Sequence, residues 1–565
     1  MKWMILAFMT SLGLTAGSVS STSSVTFREA DPKQTGVTWV HDNAMSKQHY
    51  LPETEPPGVA IFDYNNDGLM DLLLVNTGDS SFFHPTTPHH HALYRNNGDG
   101  TFTDVTEKAG ITADLFAMGV AIGDYDGDGY PDIFITGYEK CVLYHNNRDG
   151  TFTDVTAESG IHPPGWSSTA VWFDYNNDGK LDLYVAQFVD YSSLRTCGQA
   201  DSYGGKMDNA AQDQRFYCAP RIFSPTSSHL YRNEGGGKFT DVSQETGISK
   251  LAGKGWGVVV TDVNNDGYMD VFQANDMVAN FLFVNRGGKR YEEIGLEAGV
   301  GYSMDGQARS GMGVDAADIS DDGWQDLFVA NIDQELFSIY HNNGDGTFDD
   351  VSAKMGVAQG TRMLSGWGSK LLDYDNDGLI DLFLANGHPD YLMDSRKSGV
   401  TYREPLKLFH NEGNGKMLDV SVQSGEVFKK RISARGLAVG DLNNDGYPDL
   451  LVGVNGGPPL LLYNNAESKN NWLGLKLVGT TANPAAIGAV IKWSVGGKVH
   501  SRLKNAGGSF MSSHDAREVL GLGKAEKVDW LEVHWPRPSR GVDHFTSVPL
   551  NRYLTIVEGK GIVAP

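Results

Sequence analysis

The sequence predicts an all-β protein: a seven-bladed β-propeller followed by a small all-β C-terminal domain. Three observations predict it. An acidic nine-residue loop, Asp63-Tyr-Asn-Asn-Asp-Gly-Leu-Met-Asp71, recurs in close copies starting at Asp124, Asp174, Asp262, Asp318, Asp373 and Asp441. Each copy sits among four short strand-like runs with almost no helical pattern. The last unit lacks its outermost run after Asn465, and a matching run, Phe27 to Gly36, stands ahead of the first unit. In a closed ring that run completes the last blade and removes an exposed edge. A linear solenoid has no use for it.

Along each unit, a run such as Gly119 to Gly123 precedes the loop and one such as Ile133 to Thr136 follows it. Five residues ahead of the first Asp stands Gly58, Gly119, Gly257, Gly313, Gly368 or Gly436, with Thr169 as the exception. The third run reads Leu93-Tyr-Arg-Asn96 and recurs as Leu143-Tyr-His-Asn146, Leu230-Tyr-Arg-Asn233, Leu282-Phe-Val-Asn285, Ile339-Tyr-His-Asn342, Leu408-Phe-His-Asn411 and Leu461-Leu-Tyr-Asn464. The fourth is Phe102-Thr-Asp-Val105, repeated from Phe152, Phe239 and Phe348. The longest spacing, between Asp174 and Asp262, locates an insertion over Phe188 to Ser228. It contains Cys197 and Cys218, which a disulfide would staple. Cys141, ahead of an apolar strand, reads as a buried thiol.

Oxygen-bearing side chains at loop positions 1, 3, 5 and 9, a Gly at 6 and a carbonyl at 7 are what a hard cation needs. Gly permits a turn that a Cβ would obstruct. The expected calcium ligands are Asp63, Asn65, Asp67, Leu69 and Asp71 in the first loop, and Asp124, Asp126, Asp128, Tyr130 and Asp132 in the second. The third supplies Asp174, Asn176, Asp178, Lys180 and Asp182, and the fourth Asp262, Asn264, Asp266, Tyr268 and Asp270. The fifth supplies Asp318, Ser320, Asp322, Trp324 and Asp326. Asp373, Asp375, Asp377, Leu379 and Asp381 form the sixth, and Asp441, Asn443, Asp445, Tyr447 and Asp449 the seventh. Residues at position 7 would act through their carbonyls. One such loop alone is an ordinary Asx turn; seven in one setting point to calcium. Ser320 at position 3 makes the fifth site the weakest expected.

The net charge is -24, and the loops hold 23 carboxylates at their side-chain positions. The acidity is mostly a property of the loops. It disfavours nucleic acid and anionic membrane as partners, because both need a basic face. Met1-Lys2, an apolar Trp3 to Leu14 and small residues to Ser20 read as a signal peptide over 1–20. That implies a secreted, periplasmic or extracellular location, and no later run approaches spanning length. There is no N-x-Ser/Thr acceptor.

The ring is expected over 21–466, a short polar linker follows at 466–470, and alternating strand-like runs without Asp loops occupy 471–560. The repeated units resemble FG-GAP/VCBS repeats, the blades of integrin α-subunit heads. The tail resembles the ASPIC/UnbV domain through Ile487-Gly-Ala, Ser512-Ser-His-Asp515, Leu520-Gly-Leu-Gly523 and Val533-His-Trp-Pro536. The pairing is that of the cartilage acidic protein family. It implies secretion, calcium in the repeats and an adhesion-like, carbohydrate- or protein-binding role, and it implies no reaction.

Trp166, Trp256, Trp367 and Arg435, beside the glycine positions, form a possible ligand surface for a sugar or anionic group; plain packing explains the tryptophans equally. His41, His49, His84, His89, His90 and His91 crowd the first unit and raise a transition-metal site, although adjacent histidines rarely converge on one ion. Ser512, Ser513, His514 and Asp515 read as a solvated turn, since proximity in sequence is not triad geometry. The sequence therefore favours a calcium-binding adhesion or binding module, with an extracellular protein or carbohydrate as partner. The alternative is a polysaccharide-active hydrolase or lyase. That reading needs a histidine or carboxylate beside a cleft and outside the loops, and the sequence presents no clean pair.

Overall fold

The computed structural model describes residues 26–563 apart from 86–90, 203–214, 397 and 466–467. The expected leader, His89, His90 and the first two linker residues lie outside the described residues.

Seven sheets form around the seven loops. In the Asp63 sheet, Val59–Phe62 and Asp71–Leu74 flank the loop and are followed by Ala92–Asn96 and Phe102–Asp104, all antiparallel in sequence order. The other loop-bearing sheets repeat this order. The Asp262 sheet gains a fifth strand, Ala506–Gly507, from the tail. In the Asp441 sheet the outer strand is Thr26–Glu29, paired Phe27↔Asn464 and Glu29↔Leu462. The run ahead of the first unit thus joins the last, as its match to Phe102 to Gly110 predicts.

The expected seven-bladed β-propeller is corrected. Among the described residues every ladder ends within its own sheet and no sheet is closed, and the architecture is an all-β array of open four- and five-stranded sheets. Period-2 patterning specifies strands and their partners within a sheet. It carries no information about how separate sheets close on one another.

Local chemistry explains each repeat. Asp104 Oδ1 accepts from the Thr106 amide at 3.0 Å, and Thr106 Oγ1 accepts from the Leu93 amide at 2.9 Å. This turns the chain into a one-turn helix, Thr106–Ala109, that ends at Gly110 with φ 79°. A left-handed residue of this kind favours glycine. The Asp31 turn repeats the device, with Pro32–Thr35 ending at Gly36. Between sheets, the Asn of each Leu-Tyr-x-Asn run donates to a carbonyl of the preceding unit: Asn146 to Tyr64, Asn233 to Tyr125 and Asn342 to Val263, at 2.8–2.9 Å. The glycines ahead of the loops permit close approach. A Cβ on Gly58 would lie 2.1 Å from the Met511 carbonyl.

Two four-stranded sheets make the C-terminal unit. One orders Glu518–Gly523, Asn471–Val478, Tyr553–Val557 and Gly561–Val563, with a parallel ladder between the middle pair. The other orders Lys498–Leu503, Val490–Val495, Trp530–His534 and Val542–Phe545. Leu473, Leu475, Ile491, Trp493, Leu531 and Ile556 are buried between them. From this unit residues 505–515 run back into the repeats. Asn505 Nδ2 donates to the Ala316 carbonyl, the Ser509 amide to that of Val314, and the Ser513 amide to that of Val59.

Candidate functional site

In each loop the first Asp accepts from the backbone of residues 5 and 6. In the Asp63 loop these are Asp67 N to Oδ1 at 3.1 Å and Gly68 N to Oδ2 at 3.0 Å. Asp71 at position 9 accepts from Tyr64 N at 3.1 Å and from Asn96 N at 2.8 Å. The side chains of positions 1, 3 and 5 thereby face one point. In two loops this is explicit: Asp124, Asp126 and Asp128, and Asp373, Asp375 and Asp377, each bring oxygens within 4.8 Å of one another. Burial, with like charge beside it, drives Asp71, Asp124, Asp132 and Asp373 toward protonation. Asp71 is pushed up to about 8 and Asp132 to about 9. Asp124 reaches about 6, and Asp373 rises well above the usual carboxylate range. Carboxylates that resist ionisation when alone are the donor set that a hard divalent cation relieves.

Sequence reasoning passed over two contributors. In five loops position 4 is an Asn in the left-handed region, and it tethers neighbouring loops: Asn66 donates to Gly129 O at 2.7 Å, Asn376 to Gly446 O at 2.9 Å and Asn444 to Gly68 O at 3.0 Å. The repeated Asn was a visible signal. The second contributor is the histidine of the Leu-Tyr-His-Asn and Leu-Phe-His-Asn runs. His145 approaches Asp132 at 3.3 Å, His341 approaches Asp326 at 2.9 Å and His410 approaches Asp381 at 3.2 Å.

Trp166, Trp256, Trp367 and Arg435 are fully buried. Phe510 from the tail packs 5.6 Å from Trp256 and 4.9 Å from Trp367, centroid to centroid. Arg435 lies over the Trp367 ring at 4.2 Å and donates to the Thr54 and Ala434 carbonyls at 2.7 Å. The histidines of the first unit go to separate partners: His41 to Gly456, His49 to Tyr391, His84 to Asp79 and His91 to Asn76. Cys197 and Cys218 form a disulfide, and Cys141 is a free thiol that is half-buried rather than fully buried as expected.

The solvated turn expected at Ser512 to Asp515 is corrected. Ser512 is buried, its Oγ accepts from the Val59 amide, and the Asp515 amide donates to the Val439 carbonyl. His514 Nδ1 accepts from the Val439 amide at 3.1 Å, while its Nε2 is buried without a hydrogen-bond partner. Burial, with Lys370 nearby, holds this imidazole well below its usual pKa, so it is neutral. It lines a cavity of about 290 Å³ between the repeats and the C-terminal unit, with Lys370, Arg517, Tyr553 and Trp493. Asp318, Asp373 and Asp441, the first residues of three loops, line the same cavity. Arg517 is bound to Asp515 at 2.7 Å and lies over Tyr553 at 4.0 Å.

This overturns the expectation of a pure adhesion or binding module. The alternative needs a histidine or carboxylate beside a cleft and outside the loops, and His514 lines one.

The FG-GAP-like repeat model matches residues 63–135, 124–185, 216–273, 262–329, 318–384 and 373–452, and the ASPIC and UnbV model matches 479–563. Cartilage acidic protein 1 of Xenopus tropicalis is 29% identical over 53% of this chain and 44% of its own. The Homo sapiens protein is 28% identical over 56% and 46%. The chain thus spans somewhat under half the length of these relatives. Among solved structures, an N-acetylglucosamine-recognising lectin of Agrocybe aegerita has a TM-score of 0.38 at 14% identity, covering 66% of this chain and 80% of its own. The rhamnogalacturonan lyase YesW has a TM-score of 0.35 at 13%, covering 72% and 71%. Likenesses of this order say nothing about activity. Among the described residues no helix is long and apolar enough to cross a membrane.

Proposed function

Because the chain belongs to the FG-GAP-repeat, ASPIC/UnbV family that includes cartilage acidic protein 1, we propose that it is a secreted, calcium-loaded enzyme acting on polysaccharide as a hydrolase or lyase. The observation that carries the reading is the unpartnered, neutral His514 in the cavity shared by the repeats and the C-terminal unit. Both units, assigned to 21–466 and 471–560, are needed, since the cavity wall comes from each. Its volume is near the lower end of ligand sites, which suits a terminal sugar unit.

With Nδ1 accepting from the Val439 amide, the neutral ring carries its proton on Nε2, and this unpartnered N–H can stabilise charge that develops on a sugar oxygen. Lys370 and Arg517 line the same wall, each paired with a carboxylate, Asp315 at 3.1 Å and Asp515 at 2.7 Å. Positions 1, 3, 5 and 9 and the position-7 carbonyl of each loop would hold a divalent cation, calcium where the donors are all oxygen. Once bound, the ion supplies fixed positive charge beside the cavity.

The test is a polysaccharide array scored for both retention and chain cleavage, with wild type and His514→Gln. Cleavage by wild type, lost in the variant while its thermal melt is unchanged, is the expected result. Retention without cleavage on every glycan, or equal cleavage by both proteins, would remove the reading.

A further inference from the structure

The seven loops do not offer the same donor atoms. Position 3 is Asp only in the Asp124 and Asp373 loops, as Asp126 and Asp375; elsewhere it is Asn or Ser. The residue before the Asn of the third strand is His in three units, at His145, His341 and His410, and Arg, Val or Tyr in the others. Both loops with the extra carboxylate also have the histidine. The strand pairing places that histidine beside position 9, which an offset of 13 or 29 residues in sequence does not disclose.

At the Asp124 loop, His145 Nδ1 is buried, has no hydrogen-bond partner, and lies 3.3 Å from Asp132 Oδ1 and 3.6 Å from Asp126 Oδ2. At the Asp373 loop, His410 Nδ1 lies 3.2 Å from Asp381 Oδ1 and 3.5 Å from the Tyr374 hydroxyl, and Asp375 and Asp381 are both buried. In each trio the donor atoms fall within 4.8 Å of one another. Ligands bound at about 2.0–2.2 Å to one ion stand at most about 4.4 Å apart, so small side-chain rotations close either trio. The Asp318 loop makes an internal contrast. It has His341 but Ser320 at position 3, and His341 Nδ1 is hydrogen-bonded to Asp326 at 2.9 Å.

We propose that the Asp124 and Asp373 loops are mixed imidazole–carboxylate sites that prefer a divalent transition cation of the zinc and manganese class over calcium. Imidazole nitrogen suits zinc and its neighbours, and calcium takes oxygen almost exclusively. His145 and His410 enter through Nδ1 with the proton on Nε2. The other loops, where the histidine is absent or, as His341, hydrogen-bonded to Asp326, remain calcium sites. The alternative role for the two histidines is a counter-charge for the fourth carboxylate, with no preference among cations.

The test equilibrates the full chain with excess calcium and limiting zinc, then counts metals by mass spectrometry. Wild type is expected to retain zinc at two sites. His145→Ala and His410→Ala each lose one, the double variant loses both, and His341→Ala loses neither. Zinc absorption spectra of wild type alone should show imidazole scattering, which keeps the test open if a variant fails to fold. An all-oxygen shell, zinc retention unaffected by His145→Ala and His410→Ala, or complete displacement of zinc by calcium would overturn the proposal.

Discussion

Asn96 Nδ2 donates to the Leu442 carbonyl at 2.9 Å, binding the first repeat to the last across 346 residues. The same amide donates to Met70 O at 3.0 Å, and the residue is buried. Asn96→Ala leaves two carbonyls without these donors and should destabilise by about 2–3 kcal/mol. The exposed neighbour Asn97, changed to Ala, should cost under about 0.5 kcal/mol. Urea unfolding of both variants checks the difference; equal midpoints would refute the role given to Asn96.

The loops set a pH dependence that reverses with metal. In the ion-free protein, burial raises Asp71 to about 8, Asp132 to about 9 and Asp381 to about 7, from a usual value of 3.8. Raised carboxyls bind protons more tightly when folded. Their stabilisation is full below pH 3.8 and is lost as pH rises through 7 to 9. The calcium-loaded protein gains instead, because the ion no longer competes with protons. Chelation should therefore lower the melting temperature by many degrees at pH 8 and by much less at pH 5. Melts with and without chelator across this range check it, and a gap that shrinks as pH rises would contradict it.

Arg517 and Asp515 are both nearly buried, and Arg517 also donates to the Asp441 carbonyl at 2.9 Å and to Asn444 Oδ1 at 2.6 Å. Arg517→Ala leaves a buried carboxylate unpaired and should cost about 3–5 kcal/mol. Arg517→Lys should recover only part, since a point charge cannot reproduce the guanidinium fork. A double-mutant cycle with Asp515→Asn gives the coupling energy, expected to be at least about 1 kcal/mol.

The disulfide closes a loop of 21 residues in the insertion. Reducing it should release about 3 kcal/mol of constraint on the unfolded chain and open the insertion to protease before the sheets. Cys141, pushed up to about 11 by burial, should remain unalkylated at pH 8 until the protein unfolds. Peptide mapping of alkylated digests reads both outcomes.

What the amino-acid order determined by itself is local and repeated. Asp at fixed spacing with Gly at position 6 makes the loops. Alternation makes the strands, and the match of Phe27 to Phe102 assigns the edge strand that pairs Phe27 with Asn464. Each of these signals recurs within a few residues, or is copied from unit to unit. Only the tertiary structure decided how the sheets assemble, where the expected propeller is corrected. It also decided that Ser512 to Asp515 runs among the repeats rather than in solvent, and that His145 and His410 lie over acidic loops. These depend on side chains brought together from distant parts of the chain, as when Val439 donates to His514 across 75 residues. Burial and approach of that kind are set by packing between sheets, which leaves no period in the sequence to read.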